Sequence, residues 1–445
     1  MRNVFLLLVS LFFYAWGEGA LVILMMGSIV VNYGIGLVLG KAQRSASPFG
    51  AIGILWIGIL LNLSVLLYYK YANFILESVT GLGVPLNLEI GSITLPIGIS
   101  FFTFQSISYL VDVYRRIVLP QQNVMNLGMY IALFPQLIAG PIVRYKNIRE
   151  QIRGRVVDGE LFTSGLVRFI IGLAKKVLIA NNAGAIADQV FSMPEAELST
   201  PMSWLGIFCY AIQIYFDFAG YSDMAIGLGR LFGFRFLENF NFPYISGSIK
   251  EFWRRWHISL SSWFKDYLYI PLGGNRKGTV RTYLNLIIVF FITGLWHGAS
   301  WNFVVWGLFH GAFLILERIV RIPIPSWLGF LRHVYVLLVV LVGWVFFRAE
   351  NLADGWSYLG VMFQWKPEGN QEPLLFLNLY TITMLVVGVL FSMPLGRQLE
   401  GRLKSLSTSP IWYAGLQYAF CLLILGVTML ELAQATYNPF IYFRF

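Results

Sequence analysis

The chain has little charge and almost no cysteine. Only 12% of its 445 residues are charged and 57% are hydrophobic, whereas a soluble domain carries about 25% charged residues. These figures exclude a soluble globular protein, a disordered chain, a collagen and a coiled coil. The only two cysteines, Cys209 and Cys421, lie in separate apolar runs. They exclude a disulfide framework and a cysteine metal site, so we expect two buried thiols and no bound metal.

No polar stretch is long enough to form a soluble domain, since the longest covers only about residues 350–373. Long apolar runs fill most of the chain instead, and a spanning helix needs about 20 apolar residues. The sequence therefore predicts an all-α polytopic transmembrane helix bundle with re-entrant and interfacial helices. We expect about 10–12 spans in a single integral-membrane domain over residues 1–445. The candidate spans are 4–16, 20–39, 51–76, 93–114, 162–190, 203–229, 282–296, 299–317, 328–347, 374–394 and 411–433.

The net charge of +10 comes mainly from short loops between these apolar runs. The stretch 144–155, for example, has five basic residues and one glutamate. Basic loops that alternate with acidic or neutral ones are typical of cytoplasmic loops in a multi-pass protein. This pattern indicates membrane lipid as the surrounding partner and argues against a nucleic-acid partner. The first apolar run has no small-residue cleavage site after it, so we expect no cleaved signal peptide.

Residues 124–143 form an apolar segment with basic residues on both sides. Pro135, Gly140 and Pro141 interrupt any helix there, because proline removes a backbone donor and clashes with the preceding turn. Broken backbone at membrane depth occurs only where protein or a water-filled cavity satisfies it. We therefore expect a re-entrant segment that enters and leaves on the cytoplasmic side.

Four histidines are candidates for chemistry, and His297 stands out among them. The apolar stretch Leu284–Trp296 has 13 residues, which rise roughly 20 Å, short of the ~30 Å hydrocarbon core. The next apolar stretch starts two residues after His297. This arithmetic predicts a hairpin tip inside the membrane, with small residues that let another group approach the imidazole. A general base and a packed histidine that donates to a carbonyl are both open. We expect His310 to pack in the core and His333 to be interfacial.

His257 lies within an aromatic stripe at helical spacing, among a group of basic residues. The basic residues are Lys250, Arg254, Arg255 and Lys265. One interpretation is an interfacial amphipathic helix whose tryptophans lie at headgroup level. The other is a cytoplasmic-side site for a phosphate-bearing ligand, because arginine matches phosphate oxygens in geometry.

Asp217 and Asp223 lie in an otherwise apolar run beside Tyr221. Carboxylates inside a bundle must be paired, protonated or exposed to water. They could orient a histidine, bind a cation, or form an ion pair with Arg230 or Arg235. The chain also lacks a Walker A motif, a G-x-S-x-G elbow and an H-E-x-x-H motif, which argues against ATP-driven transport and the corresponding hydrolases.

Several motifs in order resemble the membrane-bound O-acyltransferase family, most closely its bacterial alginate O-acetyltransferase-like branch. They are "LPIGISFFTFQSISYLVDVYR", "FPQLIAGPIVRY", "YFDFAGYSDMAIGLGRLFGF", "NFNFPYISGSIKEFWRRWHISLSSWFKDYLYIPLGG" and "TGLWHGASWNFVVWGLFHG", within residues 95–311. Members of the family usually carry one more hydrophobic segment ahead of the stretch matched by Arg2–Glu18. We therefore expect one N-terminal span to be missing here.

The resemblance implies a catalytic role for His297 and a partner role for His257. It implies transfer of an acetyl group from cytoplasmic acetyl-CoA toward an exopolysaccharide such as alginate, with a periplasmic acetyltransferase partner and no permanently bound cofactor. The expected location is the bacterial inner membrane. We expect His297 to deprotonate the acceptor hydroxyl and His257 to position or polarise the thioester carbonyl. The residues expected to contact the donor are Lys250, Trp253, Arg254 and Arg255, and the supporting ones are Asp217, Tyr221, Asp223 and Asn241.

Two alternatives stay open at this point. The acceptor could be teichoic acid, cellulose or peptidoglycan, with a D-alanyl or other acyl group and a carrier protein as donor. A polysaccharide or acyl transporter without chemistry would also explain an aromatic-rich interior with internal carboxylates.

Overall fold

The computed structural model describes residues 1–45, 48–84, 91, 93–138, 140–320, 328–367, 369, 372–406 and 410–434. Over these residues the chain is built from helices and connecting loops, without β-strands. It divides into two compact units. Unit 1 is Met1–Gly165 with Leu228–Leu237, and unit 2 is Leu166–Gly227 with Glu238–Phe445. The single-domain organisation stays a prediction.

The described part of the first half of the chain contains ten α-helices. They are α1 (Arg2–Glu18), α2 (Val22–Arg44), α3 (Pro48–Leu66), α4 (Ala72–Gly81), α5 (Ile99–Tyr114), α6 (Val124–Ala132), α7 (Phe134–Leu137), α8 (Tyr145–Arg153), α9 (Gly159–Ala174) and α10 (Asn181–Phe191). Two π-helical turns, Leu67–Tyr71 and Lys175–Ala180, join α3 to α4 and α9 to α10.

Ten more α-helices follow in the described part of the second half. They are α11 (Thr200–Leu231), α12 (Ile249–Arg255), α13 (Ile258–Phe264), α14 (Thr279–His297), α15 (Trp301–Ile319), α16 (Phe330–Arg348), α17 (Leu352–Phe363), α18 (Leu379–Phe391), α19 (Leu395–Leu406) and α20 (Pro410–Gln434). A third π-helical turn, Lys265–Tyr269, extends α13.

Seven helical segments of the described chain are long and apolar enough to cross a membrane. The count rises to eight if α18 and α19, bent by 74°, form one broken span. The segments are Arg2–Arg44, Gly50–Gly81, Thr200–Leu231, Thr279–His297, Trp301–Ile319, Phe330–Arg348 and Trp412–Gln434. The polytopic all-α prediction is confirmed, and the protein is a multi-pass membrane protein.

The predicted number of 10–12 spans is larger than this count, for physical reasons. The first two apolar runs form one helical segment of 43 residues. The predicted span 93–114 forms a helix of only 16 residues, and polar side chains are buried along it. The run 162–190 carries Arg168, Lys175 and Lys176, whose charges interrupt its apolar surface.

The segment 124–143 has the predicted break. Helix α6 has nine residues, about 14 Å at 1.5 Å per residue, and the chain leaves helical geometry at Leu133, two residues before Pro135. The side chain of Gln136 donates to the carbonyl oxygen of Tyr130, and the Tyr130 hydroxyl donates to the carbonyl of Val143. Protein groups thus satisfy part of the broken backbone. Entry of this segment into the membrane stays a prediction.

The two cysteines are buried thiols, as the sequence predicted.

Candidate active site

His297 lies at the tip of a helical hairpin, as predicted. Helix α14 ends at this residue, and α15 begins at Trp301 after a turn of three residues. The glycines bring the two helices together: a Cβ at Gly294 would collide with the carbonyl oxygen of Phe303, and one at Gly307 with that of Phe290. The room at these two positions is therefore filled by the backbone of the facing helix. The expectation that small residues leave space for another group does not hold at Gly294.

Helix α14, which ends at His297, is longer than its apolar stretch alone predicted. Helix α14 begins at Thr279 and has 19 residues, so it rises about 28 Å rather than 20 Å. The apolar pattern did not reveal this start, because the first turn of the helix is polar and the apolar stretch begins only at Leu284. The helix is long enough to cross a membrane, and the depth of its tip stays a prediction.

Aromatic rings enclose the His297 side chain, which is 6% exposed. Its ring centroid lies 4.9 Å from that of Trp296, 5.0 Å from Trp306 and 5.1 Å from Phe347, all in edge-to-face contact. Such contacts hold an imidazole in place within an apolar wall. The hairpin turn is itself anchored, since Asn302 donates to the carbonyl of Ala349 at 2.8 Å.

His257 lies at a break between two short helices, where the sequence predicted one continuous amphipathic helix. Helix α12 ends at Arg255, Trp256 is extended, and His257 has a left-handed φ of 41°. Positive φ is uncommon outside glycine and persists where surrounding contacts hold it. The contacts come from the segment 239–241: the carbonyl of Asn239 accepts from the Ile258 N–H at 2.9 Å, and the Asn241 N–H donates to the Arg255 carbonyl at 2.9 Å.

The tryptophans before this break are buried in the protein rather than arranged along a headgroup surface. Trp253 is 8% exposed and Trp256 is 3% exposed. Trp256 packs on Trp344 at 4.9 Å between ring centroids and on Phe240 at 5.1 Å. The helical spacing that suggested an interfacial stripe therefore belongs to the core of unit 2.

The imidazole of His257 is fully buried and hydrogen-bonded on one side. Its Nδ1 lies 3.1 Å from Oδ1 of Asn239, and Phe218 covers the ring edge-on at 4.6 Å. Burial lowers the pKa of His257 to about 3, so the ring is neutral at physiological pH. Its Nε2 has no hydrogen-bond partner among the residues that the structure describes.

Both histidines are ring neighbours of one indole, that of Trp296. The centroid of Trp296 is 6.1 Å from that of His257 and 4.9 Å from that of His297. Two motifs separated by forty residues in sequence thus meet in one buried cluster of unit 2. A neutral imidazole has one ring nitrogen whose lone pair can accept a hydrogen bond or a proton.

The carboxylates of α11 form ion pairs, one of the three roles considered, but with other partners than Arg230 and Arg235. Asp217 pairs with Lys176 at 2.6 Å. Asp223 pairs with Arg168 at 2.6 Å and with Lys175 at 2.7 Å. The partners were missed because they belong to α9 and the π-helical turn after it, and no local spacing relates these two regions.

The four residues expected at the donor differ in their surroundings. Lys250 and Arg254 are exposed. Arg255 is bound to Glu251 at 2.8 Å and donates to the carbonyl of Asn241. Trp253 lies against Trp306 and His310 in the core. Exposed positive charge therefore remains at Lys250 and Arg254.

Two of the supporting residues expected from the sequence, Asn241 and Tyr221, lie in different elements. Asn241 accepts a hydrogen bond from Arg397 at 3.3 Å through its side-chain oxygen, so it stabilises the loop. Tyr221 is half-buried on α11. His310 is fully buried among Trp253, Trp306 and Trp344, in agreement with a packing role.

The sequence reasoning missed Asn239 and Arg168. Asn239 lies two residues before the expected Asn241 and contacts His257 directly. Arg168 lies about seventy residues upstream and binds Glu238, the residue before Asn239. The only available signal for Asn239 was its place at the start of the N-F-N-F-P motif.

Comparison with known proteins shows the family of the chain. The family model for membrane-bound O-acyltransferases matches residues 46–357, which include both histidine motifs. The chain is similar to the probable alginate O-acetylase AlgI of Azotobacter vinelandii, with 41% identity over 100% of this chain and 95% of that protein.

Two further relatives differ in the acceptor that their names state. The probable alginate O-acetylase AlgI of Pseudomonas aeruginosa is 45% identical over 87% of this chain and 74% of its own length. The peptidoglycan O-acetyltransferase of Helicobacter pylori is 35% identical over 88% of this chain and 80% of its own length. The chain is an O-acyltransferase that belongs to the membrane-bound O-acyltransferase family and resembles its alginate O-acetylase members.

Proposed function

We propose that this enzyme transfers an acetyl group from cytoplasmic acetyl-CoA toward hydroxyl groups of an exopolysaccharide such as alginate. The proposal places the enzyme in the bacterial inner membrane, with a periplasmic acetyltransferase as partner for the final transfer. The observation that carries it is the meeting of two histidine motifs at Trp296 in a buried aromatic cluster, within a chain similar to alginate O-acetylases over its full length.

His297 is the proposed general base. The acceptor hydroxyl oxygen attacks the thioester carbonyl, and Nδ1 or Nε2 of His297 takes the hydroxyl proton. The tetrahedral intermediate then expels the CoA thiolate, which takes the proton back from the His297 imidazolium to leave as a thiol, and the new ester remains on the acceptor. An enclosed apolar wall of the kind around His297 excludes water from such a step, which protects the thioester from hydrolysis. General base catalysis contributes about 10²–10⁴-fold.

The donor is proposed to approach the cytoplasmic face at Lys250 and Arg254. Their exposed cationic groups can bind the phosphates of CoA, because charge-assisted hydrogen bonds to phosphate oxygens are strong. Arg255 has its charge partly satisfied by Glu251, so it contributes less to this contact. Trp253 supports the site from the core.

The test uses inverted membrane vesicles that contain the enzyme together with periplasmic proteins and polymer in their lumen. Radiolabelled acetyl-CoA is added outside, and label in the lumenal polymer is counted. Wild type is expected to transfer label, and His297→Ala is expected to lose at least about 10²-fold of the rate, the low end of general base catalysis. His333→Ala removes an exposed histidine and serves as the matched control with unchanged transfer.

Each result bears on a separate part of the proposal. Transfer by His297→Ala at the wild-type rate contradicts the base assignment. Absence of transfer by wild type, together with transfer from an acyl carrier protein, contradicts acetyl-CoA as donor. Label found in peptidoglycan instead of exopolysaccharide contradicts the acceptor.

A further inference from the structure

The side-chain amide of Asn239 has only one orientation that its neighbours permit. One of its terminal atoms lies 3.2 Å from the backbone nitrogen of Ser259, which can only donate a hydrogen bond. That atom must therefore be the acceptor, Oδ1. The opposite atom, Nδ2, then donates to Oγ of Ser222 at 3.1 Å. Both ends of the amide are thus satisfied in a buried position, 1% exposed.

This orientation decides where the hydrogen sits on the neutral ring of His257. Oδ1 of Asn239 lies 3.1 Å from Nδ1 of His257. If Nδ1 had no hydrogen, two lone pairs would face each other at this distance in a buried site, which is unfavourable. Nδ1 therefore carries the hydrogen and donates it to Oδ1. The lone pair of the neutral ring is then on Nε2.

The side chain of Arg168 supports the hydrogen bond between Ser222 and Asn239 by binding a neighbour of each residue. The guanidinium of Arg168 binds Asp223 through Nε and Nη2 at 2.9 and 2.6 Å, and binds Glu238 through Nη1 and Nη2 at 3.1 and 2.5 Å. Asp223 follows Ser222 in the chain, and Glu238 precedes Asn239. One planar guanidinium thus holds both neighbours of the hydrogen-bonded pair.

We infer that Asn239 is a positioning residue that holds His257 as its Nδ1–H tautomer, so that Nε2 serves the site as a hydrogen-bond acceptor. This inference rests on the proposed function for its catalytic meaning. An Nε2 lone pair can accept a hydrogen bond from the attacking hydroxyl or from an amide N–H of the donor. It cannot polarise a thioester carbonyl, because that role requires an N–H at Nε2. The role expected for His257 is thereby narrowed to that of an acceptor.

The first experiment observes the tautomer without any activity assay. Detergent-solubilised full-length protein is labelled with ¹⁵N-histidine, and the ring nitrogens of its four histidines are resolved by NMR at neutral pH. The His257 signals are assigned by their loss in His257→Gln. We expect a protonated Nδ1 and an unprotonated Nε2. A protonated Nε2 with an unprotonated Nδ1 overturns the inference, whether or not acetyl transfer is detected.

The second experiment measures acetyl transfer in the vesicles. Asn239→Leu removes the acceptor and leaves the Nδ1–H unsatisfied in a buried site, so we expect kcat to fall about ten- to a hundredfold with little change in KM. Asn239→Asp keeps an acceptor toward both Nδ1–H and the Ser259 N–H, and should restore most of kcat and the Nδ1–H signal. Asn285→Ala is the matched control, a buried asparagine that binds the carbonyl of Gly274.

The outcomes separate this inference from the proposed function. Wild type that shows the Nδ1–H tautomer but transfers no acetyl group contradicts the proposed function alone. Active wild type with equal kcat in Asn239→Leu and Asn239→Asp contradicts the positioning role alone. Loss of kcat in Asn285→Ala to the same extent as in Asn239→Leu shows a general effect of buried asparagines and also contradicts it.

Discussion

His257 and His297 both neighbour the ring of Trp296, but different physical means position them. A hydrogen bond to Oδ1 of Asn239 and a left-handed backbone turn hold His257. Ring contacts and the end of a close-packed helical hairpin hold His297. Hydrogen bonds fix which nitrogen carries the hydrogen, whereas ring contacts fix the place of the ring. We therefore expect His297 to be sensitive to changes in helix packing and His257 to changes in its polar neighbours, and the following substitutions test this.

Adding a methyl group at the close contact between α14 and α15 should have the largest effect on the rate of acetyl transfer. In Gly294→Ala the new Cβ would overlap the carbonyl oxygen of Phe303, so the helices must separate and His297 must move. A displacement of about 1 Å at a catalytic group costs about 10²-fold in rate. We expect that loss in acetyl transfer, together with a lower unfolding temperature in detergent.

Gly426→Ala is the matched control for this prediction, because a Cβ there meets no atom within 4 Å. It should leave both the rate and the unfolding temperature unchanged. Wild-type transfer by Gly294→Ala would show that the hairpin contact does not position His297.

Weakening the contacts of Arg168 with Asp223 and Glu238 should have an intermediate effect on the rate of acetyl transfer. Arg168→Lys keeps the charge, but one ammonium cannot reproduce the forked contacts to both Asp223 and Glu238. We expect kcat to fall about tenfold, equivalent to about 1.4 kcal/mol, while KM for acetyl-CoA stays close to that of wild type.

Arg348→Lys is a suitable comparison, since Arg348 contacts a single carboxylate, that of Asp188, at 2.6 Å. A lysine can keep that one ion pair, so a smaller effect on kcat is expected. Equal losses in the two variants would contradict a specific role of the forked contacts of Arg168.

Removing the exposed charges should have the smallest effect. Arg254→Gln and Lys250→Gln are each expected to raise KM for acetyl-CoA about two- to fivefold, because exposed ion pairs contribute about 0.2–1 kcal/mol. The effect should shrink as salt is added, since exposed charges are screened. Arg402→Gln, an exposed arginine on α19, is the control; a similar rise there would point to the overall charge of the protein.

Parts of the site could be predicted because they depend on neighbours in sequence. The hairpin tip at His297 follows from an apolar stretch on each side, and the break near Pro135 follows from the chemistry of proline. The start of α14 was missed, because its first turn is polar and a hydropathy argument counts only apolar residues. The break at His257 was missed for a related reason: the aromatic spacing continues across Trp256 and His257 although the helix does not.

Composition and hydropathy determined by themselves that this is a multi-pass helical membrane protein, because a chain so poor in charge cannot remain dissolved in water. The resemblance of its histidine motifs to those of the membrane-bound O-acyltransferase family implied acyl transfer. Only the tertiary structure decided that Asn239 binds His257, that Arg168 holds both Asp223 and Glu238, and that Asp217 pairs with Lys176. These contacts join residues far apart in the chain, and hydrogen bonds and ion pairs act over a few ångströms of space, so no periodicity or spacing in the sequence encodes them.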